Sequence, residues 1–302
     1  MQEPARGRGP QDQTLTSRLS INQLMLDEST FEEDLESCRR ISASGIGIVE
    51  SKLGHGRDQE LAALLDAASL QATLCTAATP SLLPVALFGG PTDPHVRIEQ
   101  LIASIERFAP FHPSQFITLT GVAGSLGDAD QRRILVDGYR RVSAAAAEIG
   151  ALIGIEPIRR SAAAEASIVS TVAEAADLVT DIDAPNVGIV YDVFHHWDSP
   201  SVVEDIAAYA ALFSIVQLGD VPDRADAGIG RAIPGEGQVP LSRIFAALDA
   251  AGYRGWFDVE LLSDPGAESP TAGLNHDELL ARTKRGLEAA WESRALSLTN
   301  GS

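Results

Sequence analysis

Acidic or amide side chains follow apolar runs at four places in the sequence. They are Glu156 in ALIGIEP, Asp192 in VGIVYD, Gln217 in FSIVQLGD and Glu260 in GWFDVEL. In parallel α/β folds the carboxyl ends of the strands are where ligand sites form. Three carboxylates gathered there in a low dielectric would repel one another without a cation. Oxygen-rich ligands favour a hard or borderline divalent ion such as Mn²⁺ or Mg²⁺, so the pattern predicts a metal site.

The side-chain alternation of a β-strand supports this convergence. Period two puts each of these residues on the same strand face as the residue two positions earlier. The pairs are Gly154 with Glu156, Val190 with Asp192, Ile215 with Gln217, and Asp258 with Glu260. If that face is the interior of a barrel, four successive strands deliver their side chains to one mouth. Asp258 then points inward one layer below Glu260, where a buried carboxylate needs a hydrogen-bond partner.

The elements that must position these residues alternate along the whole chain. Short apolar runs alternate with longer segments of helical period, as in repeated βα units. The predicted strands are Leu19–Leu26, Gly45–Glu50, Gln71–Thr76, Phe116–Thr120, Ala151–Glu156, Val187–Asp192, Phe213–Leu218 and Trp256–Leu261. The predicted helices are Thr30–Ser42, Asp58–Ala68, Pro94–Phe108, Asp128–Ile149, Ser167–Thr180, Ser201–Ala211, Leu241–Ala251 and His276–Ser293.

Eight strand–helix units predict an α/β fold, a (β/α)₈ TIM barrel in a single domain. The alternative is an open doubly wound sheet. Such a sheet usually carries a glycine-rich phosphate loop after an early strand, and the sequence contains neither GxGxxG nor GxxxxGK[ST]. The first 18 residues are rich in Gly, Pro, Gln and Arg and nearly free of apolar residues, which predicts a disordered tail. The barrel is expected over residues 19–295.

Composition bounds the partners and the compartment. The formal net charge of −19 over 302 residues argues against a nucleic-acid or anionic-membrane partner. Cys38 and Cys75 are too few for a disulfide framework, which fits a reducing cytoplasm. No apolar run approaches about 20 residues and no signal region is visible at the N-terminus. We therefore expect a soluble cytoplasmic protein with a small-molecule partner.

These motifs resemble the sugar phosphate isomerase/epimerase family of xylose isomerase-like TIM barrels. The resemblance runs from about Leu19 to Trp291 and is most specific in the second half. The matching segments are IGIEPI with Glu156, YDVFHHW with Asp192 and His195, QLGD with Asp220, RAIPGEG from Arg231 to Gly237, and GWFDVELL with Glu260. The resemblance implies the same barrel fold, a bound divalent metal and a small carbohydrate substrate, with a homo-oligomer possible.

The resemblance also implies a ligand set. The family holds its metal with residues after strands five, six, seven and eight, which here are Glu156, Asp192, Gln217 and Glu260. The family residue on strand seven is histidine, so Gln217 is a departure. An amide oxygen ligates a hard cation but is a weaker donor than imidazole, which puts metal affinity and identity in doubt. Manganese is the expected ion, with magnesium as the alternative.

The implied chemistry is proton transfer next to a carbonyl. In the family the metal binds a substrate carbonyl and a neighbouring hydroxyl and stabilises an enediolate. Glu156 and Glu260 would act as base and acid, and His195 would hydrogen-bond a substrate oxygen. Arg224 or Arg231, on the long loop after strand seven, could reach another hydroxyl or an anionic group, and Arg231 is preferred. His196 is expected to pack or to support the site.

Four functions remain to be weighed. The leading one is a metal-dependent isomerase or epimerase acting on a ketose, inosose or related polyhydroxy carbonyl compound. A lyase or dehydratase of a keto-sugar or keto-inositol would share the same enediolate. A non-catalytic sugar-binding barrel is made plausible by the missing histidine. A metal-dependent endonuclease fits least, because such sites use more histidine ligands and need a basic surface for DNA.

Overall fold

Eight parallel strands close into a barrel in which each strand pairs with its neighbours in chain order and the last strand pairs with the first. The predicted (β/α)₈ fold is therefore confirmed. The computed structural model describes residues 14–26, 28–85, 89–160, 166–223, 229–262, 271 and 273–297. The strands are β1 Leu19–Asn22, β2 Gly45–Val49, β3 Gln71–Ser81, β4 Gln115–Leu119, β5 Leu152–Ile155, β6 Val187–Asp192, β7 Phe213–Leu218 and β8 Phe257–Val259.

Helices cover the outside of the barrel. In the described part of the chain they are α1 Phe31–Arg40, α2 Asp58–Ala67, α3 Pro94–Arg107, α4 Asp128–Glu148, α5 Val172–Ile182, α6 Val193–His196, α7 Val202–Tyr209, α8 Leu241–Ala250 and α9 His276–Ser297. No helix among the described residues is long and apolar enough to cross a bilayer. The short helix α6 was not predicted, and it carries His195.

Capping side chains explain where several elements begin and end. The predicted first strand was too long, because the side chain of Asn22 accepts a hydrogen bond from Leu24 N at 3.0 Å and starts a 3-10 turn. The predicted helix from Ser167 begins later, because Thr171 forms a capping box with Glu174. The hydroxyl and carboxylate of these two residues satisfy backbone N–H groups that the first helical turn leaves unpaired.

The barrel interior has an apolar layer below a polar one. Leu74, Ile117, Val190, Ile215 and Trp256 form a buried cluster inside the strands. Val190 and Ile215 lie two residues before Asp192 and Gln217, so the apolar layer supports the polar residues at the carboxyl ends of the strands. The interior of the barrel below these polar residues is thus a packed core.

The N-terminal boundary differs in detail from the expectation. Residues 1–13 of the predicted tail lie outside the described residues, but Thr16–Arg18 form a 3-10 turn and Arg18 is buried. Its guanidinium lies 4.4 Å from the centre of the Phe257 ring and donates to the carbonyl oxygens of Gly255 and Tyr253. Residue 18 therefore belongs to the closed barrel, because its charge is held by an aromatic face and two acceptors.

Candidate active site

The four predicted site residues lie at one end of the barrel. Glu156 follows the last residue of β5, Asp192 is the last residue of β6, and Glu260 follows the last residue of β8. Gln217 is in β7, paired in register with Asp192 on one side and Asp258 on the other. All four side chains are buried, so their charges and dipoles act on one another with little screening.

Arg231 lies between two of the carboxylates. Its Nη1 donates to Oδ2 of Asp192 at 2.7 Å, and its Nη2 donates to Oε2 of Glu260 at 2.9 Å. The guanidinium also lies 4.2 Å from the centre of the Phe194 ring. Against the effect of burial, the charge of Arg231 holds the pKa of Asp192 below its ordinary value. One positive side chain therefore already joins the strand-six and strand-eight acids.

Asp220 holds the loop that carries Arg231. Its carboxylate accepts four backbone N–H bonds of 2.8–3.0 Å, from Val221, Gly235, Gly237 and Val239. Asp220 and Ala232 also exchange both backbone hydrogen bonds. A Cβ at Gly237 would lie 2.4 Å from Oδ1 of Asp220, so only glycine allows this close approach. The QLGD and PGEG segments are thus one structural unit that positions the arginine.

His195 faces the other pair of carboxylates. Its Nε2 lies 3.6 Å from Oε1 of Glu156 and 3.7 Å from Oδ2 of Asp192. Burial lowers the pKa of His195 to about 3, so the ring is neutral near pH 7. Its Nδ1 is buried and has no partner among the described residues. A neutral imidazole in this position can ligate a cation or bind a substrate oxygen.

His196 packs away from the site, as expected. Its Nε2 lies 3.1 Å from the carbonyl oxygen of Pro157, and its ring stacks on Tyr191 with 5.6 Å between the ring centres. The two adjacent histidines therefore differ in environment. Only His195 contributes an atom to the carboxylate cluster.

The two predicted catalytic glutamates are not equivalent. Glu260 accepts hydrogen bonds at both oxygens, from Arg231 and from Gln217 Nε2 at 3.1 Å. The Glu156 carboxyl accepts no hydrogen bond from the described residues, and its Oε1 lies 3.6 Å from Nε2 of His195. Burial raises the pKa of Glu156 well above its usual value, and the charges of Asp192 and Glu260 act in the same direction. Burial also raises the pKa of Glu260, to about 7, against the lowering effect of the Arg231 charge. Glu156 is therefore the carboxyl that remains available to a ligand.

The residues fit a divalent cation. One ligand atom from each of Glu156, Asp192 and His195 lies within 4.8 Å of the other two. Among the described residues, these three side chains form the group whose spacing suits a metal ion. Three carboxylates face one guanidinium, which leaves two negative charges unbalanced when all are ionised. Gln217 Oε1 is also buried without a donor. His195, which the sequence assigned to substrate, thus joins the candidate ligands, whereas Glu260 lies beyond Arg231.

Asp258 has the partners that sequence reasoning could not name. Ser20 Oγ donates to its Oδ1 at 2.7 Å, and Asn22 Nδ2 donates to its Oδ2 at 2.8 Å. Both donors lie on β1, which meets β8 only because the barrel closes. Arg224, the other arginine considered for substrate binding, lies outside the described residues.

The sequence matches a family model and several known proteins. A family model for the xylose isomerase-like TIM barrel matches residues 38–285. The 3-dehydroshikimate dehydratase of Pseudomonas putida is 31% identical over 157 residues, which cover 49% of this chain and 23% of that protein. The inosose dehydratase of Erwinia tasmaniensis is 28% identical over 159 residues, which cover 47% of this chain and 51% of that protein. The chain thus spans about half or less of these curated relatives.

A solved structure shares the fold. The D-psicose 3-epimerase of Clostridium cellulolyticum H10, crystallised with D-tagatose, superposes with a TM-score of 0.74 over 93% of this chain and 99% of that chain. The two sequences are 18% identical, so this likeness concerns the barrel rather than the reaction.

Proposed function

Because this chain belongs to the xylose isomerase-like TIM barrel family, we propose that it removes a proton from the carbon next to the carbonyl of a small polyhydroxy compound. This step is common to sugar isomerases, epimerases and dehydratases that form an enediolate. The relatives and the shared fold support a carbohydrate-like substrate. The proposal assigns the step to Glu156.

One observation carries the proposal: a buried carboxyl without a hydrogen-bond donor lies beside groups that can hold a substrate oxygen. Glu156 is buried at the mouth and is 3.6 Å from the neutral His195. A general base must be free to take the proton, and no hydrogen bond from the described residues occupies the Glu156 carboxyl. The unpartnered Nδ1 of His195 gives the imidazole capacity to orient the substrate.

Arg231 supplies fixed positive charge close to the reacting atoms. Its guanidinium is buried and held by two carboxylates and the Phe194 face. Such preorganised charge stabilises negative charge that develops on a substrate oxygen without reorganisation. This role extends the substrate-binding role expected for Arg231 from the sequence.

A divalent ion would complete the electrostatics. Glu156, Asp192 and His195 would hold it, with Gln217 Oε1 as a further oxygen ligand. When bound, it would stabilise the charge growing on the substrate carbonyl oxygen and lower the pKa of Glu156 into the range of a working base. We expect manganese, to be checked by metal analysis of the purified protein. The cytoplasmic location and homo-oligomer likewise stay predictions.

The unequal glutamates favour a reaction with a single base. Epimerisation inverts one carbon and needs a second group to deliver a proton from the opposite face. Glu260 is the candidate that the sequence predicted for that role, but both of its oxygens are already bonded to Arg231 and Gln217. In isomerisation Glu156 would take the proton from one carbon and return it to the neighbouring carbon, as the hydroxyl proton moves to the former carbonyl oxygen. In elimination Glu156 would take the proton next to the carbonyl and pass it to the departing hydroxyl, which leaves as water. A dehydratase is therefore the second candidate, ahead of a 3-epimerase.

Solvent exchange tests the common step. The Mn²⁺-treated protein is incubated in D₂O with inosose, 3-dehydroshikimate, D-psicose and D-tagatose, and NMR follows the proton next to the carbonyl. We expect exchange with at least one compound, and a fall of about 10²-fold or more in Glu156→Gln. If the protein binds the ion but exchanges no proton of any of these compounds, the result contradicts the proposed enzyme and favours the non-catalytic sugar-binding barrel.

The products separate the two outcomes. Dehydration next to a ketone gives a conjugated product that absorbs in the ultraviolet and has lost one water by mass. Isomerisation keeps the mass and changes the NMR spectrum of the neighbouring carbon. A 3-epimer as the main product would contradict the single-base assignment, because it requires Glu260 to leave its two donors.

A further inference from the structure

The orientation of the Gln217 amide is determined by its neighbours. Nε2 of Gln217 donates to Oε1 of Glu260 at 3.1 Å. The register of β7 and β8 pairs Gln217 with Asp258, so the two side chains are neighbours on the same face of the sheet. Burial raises the pKa of the Asp258 carboxyl to about 6, against the lowering effect of Asn22, Ser20 and the neighbouring Gln217 amide. Rotating the amide by half a turn would bring its oxygen against two acceptors, which is repulsive. The amide nitrogen must therefore face the two acids.

This arrangement leaves the amide oxygen as the unsatisfied atom. Oε1 of Gln217 is buried and has no hydrogen-bond partner among the described residues. A buried acceptor without a donor costs about 1–3 kcal/mol, so such atoms call for an explanation. A cation would satisfy this oxygen, and no N–H or O–H donor of the described residues does.

The Asp258 carboxylate is itself fixed from the opposite side. It accepts from Ser20 and Asn22 on β1, and Ser20 also shares a hydrogen bond with Thr73 on β3. Gly47 leaves room for this network, because a Cβ there would lie 3.0 Å from both Asp258 Oδ1 and Asn22 Nδ2. The carboxylate therefore cannot turn away from Gln217 without breaking two bonds.

We propose that Asp258 is a positioning residue that fixes the Gln217 amide so that Oε1 serves as an oxygen ligand of the divalent cation. Asp258, held by Ser20 and Asn22, would then orient the Gln217 side chain, as a hydrogen-bonded neighbour orients the ring of a histidine ligand. Loss of such a partner typically lowers metal affinity 10- to 100-fold. The inference rests on the metal site of the proposed function and concerns only how this chain builds it.

A double-mutant cycle read by Mn²⁺ affinity tests the proposal. Isothermal titration gives Kd for the wild type, Asp258→Asn, Gln217→Leu and the double variant at one pH. We expect each single variant to bind Mn²⁺ about tenfold more weakly. The double variant should bind within about threefold of Gln217→Leu, because without the amide Asp258 has nothing to orient.

A pure charge effect would give a different pattern. Removing the Asp258 charge would then weaken binding by the same factor whether residue 217 is Gln or Leu, and that result overturns the positioning role. Ser20→Ala is the matched control: it removes one donor but keeps the carboxylate against Gln217, so its Kd should stay within about threefold of wild type. If Asp258→Asn does not fold, Asp258→Ser carries the same cycle.

The failure of the proposed function looks different again. If the wild type binds no Mn²⁺ at millimolar concentration, the metal site itself is refuted and the positioning role falls with it. If the wild type binds Mn²⁺ and exchanges substrate protons, but Asp258→Asn has the wild-type Kd, only the positioning role is refuted.

Discussion

Arg231 and Asp192 form an ion pair from which solvent is excluded, with 2.7 Å between Nη1 and Oδ2. The same guanidinium bonds to Glu260. The divalent ion of the proposed function would therefore enter a site in which one unit of positive charge is already present. The arginine and the ion would then share the carboxylate oxygens.

Replacing Arg231 should lower the stability of the ion-free protein and increase the stabilisation that the ion provides. Arg231→Met leaves two buried carboxylates unpaired, which typically costs about 3–5 kcal/mol of unfolding free energy. Mn²⁺ should raise the Tm of this variant more than that of the wild type, because it replaces the lost charge. Thermal unfolding with and without Mn²⁺ measures both effects. Arg231→Lys, which keeps the charge, is the control, and equal Mn²⁺ shifts in Arg231→Met and wild type would contradict the shared site.

The two glutamates should respond differently to neutralisation. Glu156→Gln removes the base, so proton exchange at the carbon next to the carbonyl should fall about 10²- to 10⁴-fold. Glu260→Gln should cost less, about tenfold, because that residue is held by Arg231 and Gln217 and supports charge rather than moving the proton. NMR exchange rates at saturating substrate measure both. A larger loss in Glu260→Gln would reverse the assignment.

Asp220 should matter for stability and for the arginine loop without binding the ion. Asp220→Ala removes the acceptor of four backbone N–H groups, and we expect a loss of about 3 kcal/mol and a Tm about 6 °C lower. Mn²⁺ affinity should stay within about threefold, while kcat/KM falls because Arg231 loses its support. The exposed Asp223 provides a control, since Asp223→Ala should leave Tm unchanged. A large drop in Mn²⁺ affinity in Asp220→Ala would instead make Asp220 part of the metal centre.

Acid stability should depend on His196. Burial lowers the pKa of His196, so the folded protein holds it neutral while the unfolded chain takes up a proton near pH 6.5. The stability that the neutral ring contributes is therefore present above pH 6.5 and is lost as pH falls below it. His196→Gln keeps a donor for Pro157 O and cannot titrate. Urea unfolding at pH 6 and pH 5 measures the unfolding free energy at each pH. Between these two values the unfolding free energy of His196→Gln should fall by about 1 kcal/mol per pH unit less than that of the wild type.

The barrel could be predicted because its signals are local. Each strand is an apolar run, each helix has a 3.6-residue period, and the strand order of a (β/α)₈ barrel follows from chain order. The errors lie at element ends, as at Asn22 and Thr171, where a side chain bonds to the backbone and competes with the regular structure.

The sequence predicted which residues gather at the site, but it did not predict which of them bond to one another. Strand parity identified Glu156, Asp192, Gln217 and Glu260, since parity is a property of each strand alone. Arg231 lies between Asp192 and Glu260 because its loop is held by hydrogen bonds to Asp220. The periodicity of the sequence does not predict these loop contacts. The partners of Asp258 are about 240 residues away in sequence and meet it only on closure.

The contact between β1 and β8 has a consequence for biosynthesis. A nascent chain on the ribosome that has already delivered Glu156, Asp192 and Gln217 still lacks Asp258, and Ser20 and Asn22 then have no carboxylate to bind. The amide of Gln217 gains its orientation only when the last strand emerges and joins the first. Under the proposed function, binding of the ion at full affinity would therefore come late, after synthesis of the eighth strand and closure of the barrel.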